Sequence, residues 1–241
     1  MTPPVPDKPA LFLDFDGTLV EIAPRPDAIV VSPHLPGLLD SLVEALSGAV
    51  AVVSGRTIGD IEHYLRLAVP AAGMHGLERR FAPGAPVEAA PSSPEVDILR
   101  GRIRESALLG GGVELEDKGA GLAVHYRAAP DREGEVKAFL GEAVADLPAL
   151  QLIEGKMVVE AKGRGFDKGA AVRLFMGSDT FEGRTPVFIG DDVTDEDGMR
   201  AADALGGFGI KVGDGDSVGR YRLPDVASVH EWLAAVAKAE R

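Results

Sequence analysis

Short apolar runs alternate with runs of helical spacing in the first third of the chain. Three apolar runs have the length and flanks of buried strands: residues 10–13, 50–53 and 68–73. Leucine and valine recur at helical spacing over residues 35–46, and Ser32-Pro33 predicts the start of that helix. Thr57 predicts the start of a second helix. This order predicts a doubly wound, Rossmann-like α/β domain built on a parallel sheet.

A different order of predicted helices and strands interrupts this pattern after the first third of the chain. Residues 82–94 are rich in proline, alanine and serine and predict a connection. The next elements follow the order αββαββ: a helix at residues 94–109, strands at 113–117 and 122–127, a helix at 131–145, and strands at 151–154 and 157–161, the last two joined by a turn at Gly155-Lys156. The first pattern resumes at Lys168. We therefore predict a core domain of residues 1–93 and 163–241, with a small α+β domain, residues 94–162, inserted into it.

Charge and composition exclude several classes of partner. A formal net charge of −13 argues against binding to nucleic acids and anionic membranes, which are recognised by basic patches. No apolar run reaches the roughly 20 residues of a transmembrane helix. The first nine residues lack the order of a signal peptide and the chain has no cysteine, so we expect a cytoplasmic protein. In so acidic a chain, a phosphate substrate requires local cations.

Two aspartates, Asp14 and Asp16, follow the first apolar run. Because alternate residues of a strand point to the same side, both carboxylates are expected near one reacting centre. One suits a nucleophile on phosphorus, and the other an acid that later acts as a base. Gly17 permits a tight turn, and we expect the Thr18 hydroxyl to hold Asp16. The alternative is an ordinary turn after a strand.

Two further segments supply groups that bind an anion. Ser54 and Gly55 follow the second apolar run at the start of a helix, where backbone amides and a hydroxyl hold anions. Lys168 is suited to neutralise both a phosphate and the carboxylate that approaches it. Each signal is weak alone, because serine also caps helices and most lysines are solvated.

A cluster of carboxylates follows the apolar run at residues 187–189. Its members are Asp191, Asp192, Asp195 and Glu196. Carboxylates this close together need a cation, and ligands that are all oxygen favour Mg²⁺. Asp195 and Glu196 also suit the first turn of a helix, which is the alternative for those two.

Four motifs resemble, in the same order, those of the haloacid-dehalogenase-like (HAD) phosphatases: Asp14-x-Asp16-Gly17-Thr18, Ser54, Lys168 and Gly190-Asp191-Asp192. The resemblance implies that Asp14 is transiently phosphorylated, that Asp16 is the general acid and base, and that the phosphate is bound by Ser54, Gly55 and Lys168. It implies Mg²⁺ as cofactor, held by Asp14, the Asp16 carbonyl and Asp191. Asp192 and Asp195 would lie in the outer shell or bind the metal through water. The inserted domain occupies the position of the larger cap type, which selects the substrate.

Further strings are similar to the trehalose-6-phosphate phosphatase family: Val53-Ser54-Gly55-Arg56, His75-Gly76-Leu77-Glu78, Glu116-Asp117-Lys118, His125-Tyr126-Arg127 and Val158-Val159-Glu160-Ala161-Lys162. The similarity implies removal of phosphate from trehalose 6-phosphate to give trehalose. It also implies six residues that bind the substrate: Arg56, Glu116, Lys118, His125, Arg127 and Glu160. A functional link to a trehalose-phosphate synthase is implied as well, and we expect a monomer.

Three alternatives remain open from the sequence. A phosphatase of another phosphosugar, such as sucrose phosphate or a mannosyl-glycerate phosphate, would share the chemistry and differ in the cap. A non-catalytic sugar-phosphate sensor would normally lack one of the motif carboxylates, and none is missing here. A phospho-receiver domain has an acidic cluster and a lysine, but it has neither an inserted cap nor a use for Asp16.

Overall fold

The computed structural model describes residues 2–23, 28–90, 92–155 and 157–240. The predicted turn at Gly155-Lys156 therefore lies partly outside the described residues. The chain forms two compact units. The first comprises Met1–Glu88 and Asp167–Arg241, and the second comprises Ala89–Phe166.

Twelve strands and seven helices are assigned within the described residues. The strands are β1 (Pro9–Leu13), β2 (Val50–Val53), β3 (Ala71–Gly73), β4 (Glu78–Arg80), β5 (Glu88–Ala89), β6 (Glu114–Asp117), β7 (Gly121–His125), β8 (Leu150–Gly155), β9 (Val158–Gly163), β10 (Thr185–Gly190), β11 (Phe208–Val212) and β12 (Tyr221–Leu223). The helices are α1 (Leu35–Ala45), α2 (Ile58–Leu65), α3 (Pro94–Glu105), α4 (Glu133–Ala143), α5 (Lys168–Met176), α6 (Asp195–Ala204) and α7 (Val226–Ala239). Two short 3₁₀ turns lie at Met74–Gly76 and Pro130–Arg132.

The larger sheet has the strand order β12-β11-β10-β1-β2-β3-β4-β5. The six strands from β12 to β3 are parallel, and β4 runs antiparallel to β3. Every residue of the central strand β1 is buried, as expected for a parallel strand covered on both faces. Phe12 of β1 stacks on Phe181 at 5.5 Å between ring centroids and meets the edge of Phe175 at 6.1 Å. These contacts fix the strand whose carboxyl end bears Asp14.

The second unit is a four-stranded antiparallel sheet, in the order β6-β7-β9-β8, packed with two helices. Its core includes Leu99 of α3, Leu140 of α4, Val124 of β7 and Val159 of β9. The element order is αββαββ, and the predicted fold class is confirmed.

Some local predictions differ from the structure. Helix α1 begins at Leu35, later than the predicted start at Ser32-Pro33, and Pro36 lies in its first turn. Ser32 belongs to a turn before the helix, where its carbonyl accepts the Leu35 N–H at 3.0 Å. Strands β4, β5 and β12 were not predicted, since runs of two or three residues show no periodicity. No helix in the described chain is long and apolar enough to cross a membrane.

Candidate active site

Three neighbouring parallel strands end at the same edge of the larger sheet, each in a polar motif. Asp14 follows β1, Ser54 follows β2, and Asp191 follows β10. The Asp14 N–H donates to the Ile189 carbonyl at 2.9 Å, which ties the first motif to β10. The chain leaves β1 toward β2 and returns through β10 on the other side, so this edge is a topological switch point, where open α/β sheets bind ligands.

A buried lysine joins two of these motifs. Lys168 Nζ donates to Asp14 Oδ1 and to Asp195 Oδ1, each at 2.6 Å. The three residues are 3%, 4% and 0% exposed respectively. Lys168 is placed there because α5 begins at this residue, where Asp167 caps the helix by accepting the Ala170 N–H at 2.6 Å.

Burial and charge shift the pKa values of this group. Burial raises the pKa of Asp14 to about 7, although Lys168 acts in the opposite direction. Burial lowers the pKa of Lys168, but the charges of Asp14 and Asp195 outweigh it, so the net shift is upward. Asp14, Asp195 and Lys168 form a buried triad. When all three groups are ionised, the triad has a net charge of one negative unit.

Asp195 shapes the loop after β10. Its Oδ2 accepts the N–H groups of Asp191 at 3.0 Å and Asp192 at 2.9 Å, while Oδ1 accepts Lys168. A Cβ atom at Gly190 would lie 2.2 Å from Asp195 Cγ, so glycine is required for this close approach. Both oxygens of Asp195 therefore already have protein partners.

The arrangement fits a divalent cation. Asp14, Asp191 and Asp195 each place a carboxylate oxygen within 4.8 Å of the others. Burial, with the nearby charges of Asp195 and Asp192, raises the pKa of Asp191. Such crowded carboxylates gain from a hard cation, and oxygen donors are the ligands that Mg²⁺ prefers. A Cβ atom at Gly17 would lie 2.2 Å from Asp191 Oδ2, so glycine gives this carboxylate its space.

Asp16 forms an ion pair with Arg56. Arg56 Nε lies 2.6 Å from Asp16 Oδ2, and Nη2 lies 2.8 Å from Oδ1, a bidentate geometry. The guanidinium also lies over the rings of Phe15, at 5.7 Å from the centroid, and Tyr64, at 5.4 Å. In this structure Arg56, which the sequence assigned to the substrate, contacts the second aspartate of the first motif.

The prediction that Thr18 holds Asp16 is wrong. Thr18 is fully buried, and its hydroxyl lies 3.4 Å from Asp191 Oδ1. Asp16 is half-buried and paired with Arg56. The Thr18 hydroxyl therefore lies beside the loop after β10, whereas the Asp16 carboxylate lies beside Arg56 in the loop after β2.

Ser54 lies in the loop between β2 and α2. Its Oγ accepts the Arg56 N–H at 3.1 Å, and the side chain is buried. Gly55 is exposed beside it. Thr57 is the N-cap of α2, as predicted, and accepts the Asp60 N–H at 3.0 Å.

The second unit carries a polar cluster on one face of its sheet. Register pairs Glu116 with Ala123 and Ala123 with Glu160, so both glutamates share a face. Lys118 Nζ lies 2.9 Å from Glu160 Oε1 and 3.9 Å from Glu116 Oε2. His125 Nε2 lies 2.9 Å from Glu116 Oε2. Four of the residues predicted to bind the sugar are thus connected in one network.

The side chains of two predicted site residues make no hydrogen bond to these groups within the described chain. Arg127 is exposed and lies two residues beyond the end of β7. Asp192 is exposed, and its Oδ1 accepts the Val193 N–H at 2.6 Å. Among the described residues, the group of carboxylates close enough to share a metal does not include Asp192.

Comparison with known proteins decides the family. Residues 12–225 match the family model described as Trehalose-phosphatase. The chain belongs to the trehalose-phosphatase family. The trehalose-6-phosphate phosphatase of Escherichia coli (strain K12) is 39% identical over 240 residues, covering 99% of this chain and 90% of that protein. A probable trehalose-phosphate phosphatase of Sinorhizobium fredii (strain NBRC 101917 / NGR234) is 42% identical over 209 residues, covering 86% of this chain and 78% of that protein.

A solved structure of similar fold supports the architecture. It is described as a trehalose-6-phosphate phosphatase related protein and superposes with a TM-score of 0.71 at 24% identity, covering 95% of this chain and 97% of that one. At this identity the likeness concerns the fold. The resemblance to the trehalose-phosphatase family, stated from the motifs, is confirmed by the family match.

The sequence did not point to Lys211 as a site residue. This lysine of β11 is 7% exposed, and its Nζ donates to the carbonyl of Asp191. Its charge also lowers the pKa of Asp191, against the larger effect of burial. A signal was present, because a lysine inside the apolar run of a buried strand needs a partner. The loop after β10 is therefore fixed by hydrogen bonds from two side chains, Asp195 and Lys211.

Proposed function

We propose that this chain is a Mg²⁺-dependent phosphomonoester hydrolase that converts trehalose 6-phosphate to trehalose through a phosphorylated Asp14. The observation that carries the proposal is the position of Asp14, a buried carboxylate at the end of the central strand and 2.6 Å from Lys168. Membership of the trehalose-phosphatase family supports the same chemistry.

Asp14 is the nucleophile. Its carboxylate oxygen attacks phosphorus, the bond from phosphorus to the sugar oxygen breaks, and an acyl phosphate forms on residue 14. Two anions repel each other on approach, and Lys168 offsets this repulsion. Because water is largely excluded around Asp14 and Lys168, the attraction is stronger than it would be at the surface.

Asp16 moves the protons. It donates one to the leaving sugar oxygen, then takes one from the water that attacks phosphorus and releases inorganic phosphate from Asp14. In this structure both oxygens of Asp16 accept from Arg56, so this pair must open for Asp16 to carry the proton that it donates. Ser54 and Gly55 supply the hydroxyl and backbone groups that bind phosphoryl oxygens.

Asp14, Asp191 and the Asp16 carbonyl would hold Mg²⁺. Asp195 would organise the site, because its two oxygens bind Lys168 and two backbone N–H groups. A bound Mg²⁺ supplies positive charge that neutralises the carboxylates and the phosphoryl group.

Removal of the metal is expected to stop hydrolysis. Protein treated with EDTA and desalted should lose turnover, and Mg²⁺ should restore it. At about 100 times the dissociation constant, Mg²⁺ stabilises the fold by roughly 2.7 kcal/mol, which corresponds to a rise in Tm of about 5–10 °C for a chain of this size. Full turnover in metal-free buffer would contradict the proposal.

The rise in Tm with Mg²⁺ is expected to be larger at pH 8 than at pH 6. The pKa of Asp14 in the folded protein, about 7, lies above the ordinary aspartate pKa of 3.8, so without metal its proton stabilises the fold at low pH. That stabilisation is lost as pH rises through 7. The metal competes with the proton for the carboxylate and therefore stabilises more at high pH. Thermal unfolding with and without Mg²⁺ at the two pH values measures the difference, and a pH-independent rise would count against Asp14 as a ligand.

The cluster on the second unit supplies the contacts to the sugar. Ionised carboxylates and an ammonium make strong hydrogen bonds to hydroxyl groups, and the cluster of Glu116, Lys118, His125 and Glu160 offers both kinds of group. We assign Arg127 and Arg56 to the substrate as well. The second unit, close to the predicted range of residues 94–162, would act as the cap.

Glu116→Ala is expected to impair hydrolysis of the sugar phosphate more than hydrolysis of a small aryl phosphate. Loss of a charged hydrogen bond should lower kcat/KM for trehalose 6-phosphate by roughly 10- to 100-fold. Turnover of a small aryl phosphate should change less than threefold, because that substrate has no sugar hydroxyls. Glu142→Ala, which removes an exposed glutamate from α4 of the same unit, is the control. Equal losses on both substrates would show that the cluster does not bind the sugar.

A panel of phosphosugars tests the substrate directly. Initial rates of phosphate release should be highest for trehalose 6-phosphate, above sucrose 6-phosphate, mannosyl-glycerate phosphate and glucose 6-phosphate. A rate for trehalose 6-phosphate no higher than that for glucose 6-phosphate would reject this substrate. Cytoplasmic location, a monomeric state and a link to a trehalose-phosphate synthase remain predictions.

A further inference from the structure

The loop from Ser54 to Arg56 is held by β3 and by the turn that directly follows it, residues 72–75. The Ser54 N–H donates to the Ala72 carbonyl at 2.9 Å. In return, the His75 N–H donates to the Ser54 carbonyl at 3.0 Å, and the Met74 N–H donates to the Arg56 carbonyl at 2.8 Å. Both ends of the loop are therefore fixed by backbone hydrogen bonds from one neighbouring segment.

That segment adopts an unusual backbone. Met74 and His75 have φ values of 50° and 57°, and Gly76 follows at 96°. Side chains other than glycine rarely occupy this left-handed region, so two in succession require support from their surroundings. The support is local, because the N–H groups of Met74 and His75 are the two that reach the loop.

The side chains of His75 and Glu78 add further contacts between the residues after β3 and the start of α2. Glu78 Oε2 accepts the N–H of Ile58, the first residue of α2, at 2.7 Å. The His75 ring lies against Gly55, where a Cβ atom would be 2.9 Å from Nε2. A Cβ atom at Gly73 would lie 2.8 Å from the Ile58 nitrogen, so the backbones also approach closely.

The charge of Glu78 opposes the binding of an anion. A carboxylate near the start of α2 repels phosphate and satisfies an N–H group that an anion would otherwise use. The same charge favours the N-terminus of α2 itself, so what Glu78 contributes to phosphate binding is geometric: its hydrogen bond fixes the position of Ile58 and leaves the phosphate to Ser54, Gly55 and Lys168.

We propose that Glu78 is a positioning residue, which acts through its hydrogen bond to Ile58 and with the left-handed turn at Met74–Gly76 holds Ser54–Arg56 in the shape that binds the phosphoryl group. This rests on the proposed function, in which Ser54 and Gly55 bind phosphate. The acceptor oxygen at that distance, rather than the charge, is what the loop requires.

Three variants at this position separate geometry from charge. Glu78→Gln keeps an acceptor oxygen at the same reach and loses the charge, so it should hydrolyse an aryl phosphate within threefold of the unmodified protein. Glu78→Asp keeps the charge but withdraws the oxygen, so kcat should fall by on the order of tenfold or more. Glu78→Ala should lose at least as much. Inhibition by inorganic phosphate should weaken in the Asp and Ala variants and stay unchanged in the Gln variant.

A second acid at the start of α2 gives the control. The Asp60 carboxylate accepts a hydrogen bond from the Thr57 hydroxyl at 2.8 Å, whereas the Ile58 N–H donates to Glu78. Asp60→Asn should leave kcat and phosphate inhibition within twofold. The inference is overturned if Glu78→Gln loses as much kcat as Glu78→Asp, if both retain full kcat, or if Asp60→Asn loses as much. Failure of the unmodified protein to hydrolyse any phosphate ester would instead reject the proposed function.

Discussion

Asp14→Asn is expected to reduce turnover by on the order of 10⁴-fold or more, because an amide oxygen cannot replace the carboxylate as a nucleophile. Phosphate release from trehalose 6-phosphate and from an aryl phosphate should fall together, since both substrates use the same attacking atom. Asp197→Asn is the matched control, as it removes an exposed carboxylate from α6 that pairs with Arg200.

The same variant should remain folded. Asp14 and Asp195 share one buried lysine, and burial of the Asp14 charge is unfavourable, as the raised pKa shows. Asparagine removes that charge and leaves Lys168 paired with Asp195, so Tm without Mg²⁺ should equal or exceed that of the unmodified protein. Appreciable turnover, or loss of activity that is accompanied by unfolding, would contradict this account of Asp14.

Lys168→Met is expected to cause the largest loss of stability. It removes the ammonium that contacts the buried carboxylates of Asp14 and Asp195, and the loss of one partner from a buried ion pair destabilises by roughly 3–5 kcal/mol. Because unpaired buried carboxylates have raised pKa values, they are protonated at low pH and the folded state recovers there. The variant should therefore be less impaired at pH 5 than at pH 8, and it should lack turnover at either pH.

Urea unfolding with tryptophan fluorescence measures this loss. Trp232, the single tryptophan, lies on α7 in the first unit and is 4% exposed, so its emission reports the unit that contains Lys168. Lys168→Met combined with Asp14→Asn removes one of the two unpaired carboxylates and should regain part of the stability. Equal stability of Lys168→Met and the unmodified protein at pH 8 would show that the triad is not as tightly coupled as its 2.6 Å distances indicate.

The sequence predicted the architecture well where a segment is buried in the core. Apolar runs such as residues 10–13 and the helical spacing of residues 35–46 are set by burial on one or both faces, which leaves a pattern in the sequence. Short edge strands leave none, and β12 is three residues that pair with β11 alone. The start of α1 was misplaced because Ser32 and Pro33 suit a turn as well as a helix start.

The candidate site was predictable as a set of motifs and less so as a set of contacts. Acidic residues at the ends of parallel strands must gather at one edge, and Asp14, Asp191 and Asp195 do so together with Lys168. Individual partners depend on tertiary packing: Thr18 lies beside Asp191, and Arg56 pairs with Asp16. A lysine in the apolar run of β11 signals that Lys211 needs a partner, but the sequence does not show that this partner is the Asp191 carbonyl.

Trapping of the phosphorylated residue tests the central claim most directly. Mg²⁺-loaded protein is mixed with excess trehalose 6-phosphate, quenched in acid within one turnover and treated with borohydride, which reduces an acyl phosphate to an alcohol. Peptide mass spectrometry should then find the reduced side chain at Asp14 in the unmodified protein, and no reduced residue in Asp14→Asn. Reduction at Asp16 or at another carboxylate, or turnover without any reduced residue, would contradict a mechanism through Asp14.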